Sequence, residues 1–324
     1  MNPKKISLFF LLSGFVFLPP LFVNTPYAYI IRILGITGLY VVLALGLNLT
    51  LGLAGLFDLG FMAFYAIGAY TSAILSIHGW NFWAATAVAV AVTVFVRFLL
   101  GASVLRLRGD YLAIATLGFG EMTRIFFNNC DSLTNGPKGL PAVGQSMGLV
   151  QIYHFTFTDN LHFYYLILAT AILGAVFSMR LENSRIGRAW TAIREDEIAA
   201  ELTGVAVTKF KILAFSVSAV FAAVAGSIFV HWENFVTPES FTFWESVLVV
   251  SMIVVGGMTS IAGAVTGALL ISALPQILQV VLGGTFIHYR YLIFGVALVL
   301  VIIFRPQGLV PSSRRQLELQ RIED

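Results

Sequence analysis

The chain has 324 residues, of which 58% are hydrophobic and 11% charged, against roughly 45–50% and 25% in an average soluble domain, so it is not an ordinary soluble protein. Its 19 Lys and Arg against 16 Asp and Glu give a net charge of +3, too dilute for a nucleic-acid groove, and so apolar a chain is not a disordered one. A single cysteine, Cys130, excludes an internal disulfide framework and any Cys-cluster metal site.

A bilayer core of about 30 Å takes roughly 20 helical residues. Apolar runs near that length, separated by polar or Gly/Pro punctuation, predict ten spans at about 6–23, 29–47, 54–76, 82–104, 110–128, 161–180, 212–232, 243–257, 263–283 and 288–304. The positive-inside rule tests that count. With a cytoplasmic N-terminus, Lys4, Lys5, Arg106, Arg108, Arg180, Arg185, Arg188, Arg194, Lys209, Lys211, Arg305, Arg314, Arg315 and Arg321 all fall inside. Arg32, Lys138 and Arg290 fall at or near the outside, and Arg97 and Arg124 lie within spans. The expectation is an all-α polytopic membrane protein, one transmembrane domain over residues 1–324, with both termini cytoplasmic. Lys4-Lys5, a short apolar stretch and Pro19-Pro20 also have the form of a secretory signal. No clear small-x-small cleavage site precedes the next run, so a retained span is expected; its removal would leave nine spans and an outside N-terminus.

Two hydrophilic excursions interrupt the spans. The outer one, about 129–160, carries turn formers from Leu133 to Leu140 and predicts a folded external loop. The inner one, about 181–211, is the only stretch polar enough to form a helix outside the membrane. It places Ile198, Leu202 and Val205 on one helical stripe and Arg194, Glu197 and Glu201 on the next. Such a helix either presses into a cytosolic partner and passes that partner's motion to the spans, or lies as an amphipathic connector at the headgroups.

Glycines Gly46, Gly52, Gly55, Gly60 and Gly68 recur too often for one smooth helix, each costing up to about 1 kcal/mol relative to Ala. Broken helices expose backbone groups beside a water-lined passage, whereas small residues also allow close helix packing; both readings stand here. A second Gly-rich stretch, Val255 to Gly267, resembles the first as its counterpart in a second half. Asp58, Glu121 and Arg124 are embedded charges that should face protein or water. Glu121 and Arg124, three apart, can pair on one helix. Arg97 is expected to snorkel toward the inner headgroups.

The inner pattern Ala192-Ile-Arg-Glu-Asp-Glu-Ile-Ala-Ala-Glu-Leu-Thr-Gly204 resembles the coupling loop of ABC-transporter permeases. Leu47 to Tyr70, Leu105 to Glu121 and Phe304-Arg-Pro-Gln-Gly-Leu-Val310 are similar to the LivM-type branched-chain amino-acid permease family, a resemblance running from about residue 30 to 311. It implies half of a translocation pore in the bacterial cytoplasmic (inner) membrane. The implied partners are a second, LivH-type permease subunit, two cytosolic ATPase subunits and a periplasmic substrate-binding protein. Arg188, Arg194, Glu195, Asp196, Ala199, Ala200 and Gly204 would then meet the ATPase. Gly52, Gly55, Asp58, Gly60, Tyr65, Gly68 and Glu121 are the candidate pathway residues.

No cofactor and no enzymatic activity of its own are expected. Gly136-Pro-Lys-Gly lacks the spacing of a phosphate-binding loop, so ATP would be used by the partner subunits. There is no H-E-x-x-H. His78, His154, His162, His231 and His288 are scattered near outer span ends without metal-ligand spacing, as interfacial residues would be. The outer segments Leu133–Leu140 and Trp232–Glu239 can receive a binding protein or serve as ordinary loops. Within the class, urea, short amides or other small carboxylates are alternative solutes; an ion-coupled carrier, a channel or a membrane enzyme are alternatives outside it.

Overall fold

The computed structural model describes residues 20, 29–104, 107, 109–141, 151–152, 155–157, 159–277, 295–296, 299, 303–304 and 308–310. The expected first span apart from residue 20, most of the tenth, the end of the ninth (278–283), Arg106, Arg108 and the centre of the external loop lie outside them. The described parts of the other expected spans are mostly helical. They are α1 (Tyr29–Asn48), α2 (Phe61–Ile77), α3 (Phe82–Val104), α4 (Asp110–Asn129) and α5 (Asn160–Glu182). After the inner helices α6 (Arg185–Glu195) and α7 (Glu197–Leu202) come α8 (Val207–Glu233), α9 (Phe243–Gly256) and α10 (Ile261–Ala268). Among the described residues, five helices are long and apolar enough to cross a membrane, while Phe61–Ile77 and Ile261–Ile277 are shorter apolar helices. The chain is thus an all-α polytopic membrane protein. Two antiparallel β-pairs of two residues each interrupt it; one joins Leu140–Pro141 to Phe235–Val236 and ties the external loop to the segment after α8.

Helix α8 is the hub, packed along α2 and α3 and against α1. It runs parallel to α2, because Ser72 bonds Ser227 at 2.7 Å and Ser76 bonds His231 at 2.8 Å, with both numbers rising together. Lipid is as apolar as the side chains, so burial from water does not drive this contact; close packing of small residues and interhelical hydrogen bonds do. Gly68 shows the device: a Cβ there would stand 2.5 Å from the Ala223 Cα. His231 is therefore a buried interhelical residue and not an interfacial one. Its other ring nitrogen bonds the Ser227 carbonyl at 2.7 Å.

The expected span 54–76 is a helix only from Phe61. Helix α1 ends in a π-turn at Leu49–Leu53, and residues 54–60 leave helical structure, with Gly55 at φ +69°. That positive φ is cheap for Gly alone. A second break follows α9 at Gly257–Ser260, where Thr259 has φ +71°. The two breaks meet: a Cβ on Gly52 would lie 3.0 Å from the Thr259 nitrogen. The tail of the Phe304–Val310 motif closes the second break, Leu309 and Val310 donating to the Val255 and Gly256 carbonyls at 2.9 and 2.8 Å.

Candidate coupling and translocation sites

The inner segment is two helices where the sequence reading had one. Asp196 is extended (φ −155°, ψ 114°) and its side chain accepts from the Ile198 and Ala199 amides at 2.8 and 3.0 Å. Asp is among the best N-caps and a mediocre interior residue, so the helix restarts at it. Ser184 caps α6 in the same way, accepting from Ile186 and Gly187. The unit is held on the bundle by Trp190, fully buried, whose Nε1 donates to the Phe210 carbonyl at 2.7 Å. Ile193, Ala200 and Val207 pack together beneath it.

What remains outward is a mixed face. Arg188, Glu195, Asp196, Ala199 and Glu201 are exposed, as are the apolar Ile198 (59%) and Leu202 (84%); Val205 is half-buried. Arg194 and Glu197 turn inward, Glu197 to Lys211 Nζ at 2.7 Å. Gly204 closes the unit at φ +90° with open space around it, so its backbone angle and not crowding calls for glycine.

Arg194 joins two regions that the sequence kept apart. Its Nη1 donates to the Gly52 carbonyl at 3.0 Å, and a Cβ on Gly55 would stand 2.7 Å from its Cγ. The inner helices therefore grip the end of α1 where it breaks. Gly52 and Gly55 sit at this junction.

Further along the break, Asp58 is fully buried and forms an ion pair with Arg97 of α3. Asp58 Oδ1 also accepts the Gly60 amide at 3.0 Å. The Arg97 guanidinium lies between Phe64 and Phe215, 4.1 and 4.2 Å from their ring centres, and reaches Ser218 Oγ at 3.3 Å. Its expected snorkelling does not occur. With a carboxylate and two aromatic faces around it inside the bundle, the charge is held there, although its Nε and Nη1 make no hydrogen bond to a described residue, and does not stretch to the headgroups. Gly60 abuts the Thr116 carbonyl of α4 so closely that no Cβ fits.

Glu121 and Arg124 pair at 3.0 Å as expected, and Arg124 also reaches Glu239 at 3.0 Å. Glu121 borders a small recess beside Leu59 and Met62. A larger cavity of about 240 Å³ opens between α1, α2, α8 and α9. Tyr65 lines it, with Tyr40, Met62, Phe229, Glu233 and Glu245. Tyr40 donates to Glu245 Oε2 at 2.6 Å, and Glu233 pairs with Arg32 at 2.7 Å. The pathway candidates thus fall in three places: Gly52 and Gly55 at the inner junction, Asp58, Gly60 and Gly68 in packed contacts, Tyr65 and Glu121 at cavities. Tyr40 and Glu245 were missed; the signal was there for Glu245, a lone carboxylate just inside an apolar run.

A family model described as "Branched-chain amino acid transport system / permease component" matches residues 29–302. The chain is 41% identical over 304 residues to the high-affinity branched-chain amino acid transport system permease protein LivM of Salmonella typhimurium, covering 88% of this chain and 70% of that protein. It is 40% identical over 305 residues to LivM of Escherichia coli K12, covering 88% and 71%. The LivH permease of Salmonella typhimurium is 26% identical over 286 residues, 84% of this chain and 91% of that one. No solved structure matches the chain.

Proposed function

The chain belongs to the branched-chain amino acid transport system permease family, and on that premise we propose that it imports branched-chain amino acids as one permease subunit of an ABC transporter. It is a multi-pass protein of the inner membrane, and its relatives are transport permeases. The proposed partners are a second, LivH-type permease, two cytosolic ATPases and a periplasmic binding protein. The second permease is motivated by the likeness to LivH, itself a permease of such a system. ATP would be consumed by the ATPases, with no cofactor in this subunit, and both termini would be cytoplasmic.

The observation that carries the reading is the Arg194–Gly52 contact within a chain of this family. The exposed face of Ile198, Leu202 and Glu195 offers a docking surface, and its inner side holds the α1 break, so ATPase closure would move the break and with it access to the pore. Co-expression with the neighbouring genes tests this: an ATPase should co-purify, and proteoliposomes holding the assembly, ATP and the binding protein should accumulate labelled leucine. Competition by valine but not urea would fix the solute class. A chain that transports by itself would refute the proposal.

A further inference from the structure

The cavity between α1, α2, α8 and α9 has two carboxylates on its wall, and they differ. Glu233 is neutralised by Arg32. Glu245, half-buried, has a neutral partner in Tyr40, and no Lys, Arg or His among the described residues forms an ion pair with it. A half-buried carboxylate on a largely apolar wall without a counter-charge is costly, and its natural complement is a cation from outside the chain. A second observation points into the same space. Tyr65 is 7% exposed, lines the cavity, and its hydroxyl makes no hydrogen bond to a described residue, although its ring is held against Phe229 and Phe241 at 5.6 and 5.1 Å. The rest of the wall, including Leu39, Leu43, Met62 and Phe229, is apolar.

We propose that this cavity is a binding site inside the subunit for a small primary ammonium with an apolar tail: Glu245 takes the ammonium, Tyr65 offers its hydroxyl, and the tail lies on Met62 and Phe229. The volume of about 240 Å³ falls below the roughly 300–1,000 Å³ of drug-sized sites, in keeping with a ligand of a few heavy atoms. The inference rests on the transport reading for its physiological ligand, an amino acid in passage, but its test does not.

The test uses the full-length chain in lipid nanodiscs, with whatever subunits co-purify, and two probes that split the zwitterion. 3-Methylbutylamine has the ammonium and the branched tail; 4-methylpentanoate has the tail and a carboxylate. The amine should raise the thermal midpoint saturably and the acid should not. Replacing the charge in Glu245→Gln should raise the half-saturating amine concentration about ten-fold or more, as loss of a charge-assisted hydrogen bond does, whereas Glu245→Asp should retain most of the affinity. No saturable response to the amine, an equal response to the acid, or an unchanged half-saturation in the Gln variant would each overturn the site. The comparison of amine with acid needs no variant, so a misfolded mutant leaves the test intact. A failure to co-purify an ATPase would defeat the transport reading alone.

Discussion

Removing one partner of the Asp58–Arg97 pair should be among the most damaging single changes in the bundle. Both side chains are fully buried. Asp58→Asn keeps the volume but leaves the Arg97 guanidinium with Ser218 Oγ at 3.3 Å and the faces of Phe64 and Phe215. Breaking a buried pair in this way costs about 3–5 kcal/mol, because the surviving charge stays desolvated, whereas replacing both ions by apolar groups of similar size is near neutral or stabilising. Asp58→Leu with Arg97→Met should therefore recover most of what either single change loses. Urea unfolding of the purified protein in mixed micelles, read by tryptophan fluorescence for the parent, both singles and the double, gives the coupling energy directly. A loss below about 1 kcal/mol in Asp58→Asn, or a double variant no better than the singles, would refute the account of the pair as a buried and mutually dependent unit. The same proteins separate structure from pathway: a stable double variant that still transports removes Asp58 from the passage.

Glu195→Arg reverses the charge of an exposed residue on the inner face and should leave membrane insertion intact while abolishing uptake; normal uptake would remove the coupling assignment. Gly204→Val forces a β-branched residue to φ +90°, a strain of about 1–3 kcal/mol, with the same split between insertion and uptake expected in the two assays. Arg194→Ala deletes the bond to the Gly52 carbonyl and should leave ATP hydrolysis by the assembly running while uptake falls, measured as ATP consumed per solute. Gly68→Val drives side-chain atoms toward the Ala223 backbone and should lower unfolding stability by about 1–3 kcal/mol without altering the amount of protein inserted.

The spans among the described residues, the all-helical class and the inner amphipathic segment are legible in the residues, because they depend on local quantities: run length against bilayer thickness, and charge between runs. The Glu121–Arg124 pair is legible too, since three residues on a helix are neighbours in space. Where the chain breaks between α1 and α2 could only be bracketed by its glycines. Gly55 and Gly60 lie so close to Arg194 and Thr116 that their places in the break depend on helices distant in sequence. Arg97 illustrates the limit best. From sequence it is a cation near a span end, with a headgroup in reach; tertiary structure brings it Asp58, Phe64 and Phe215. The cavity of Tyr40, Tyr65 and Glu245 is of the same kind. Periodicity records which residues avoid water or lipid, a property of each helix by itself, while a counter-charge or an empty volume is a property of several helices at once, and only their packing decides it.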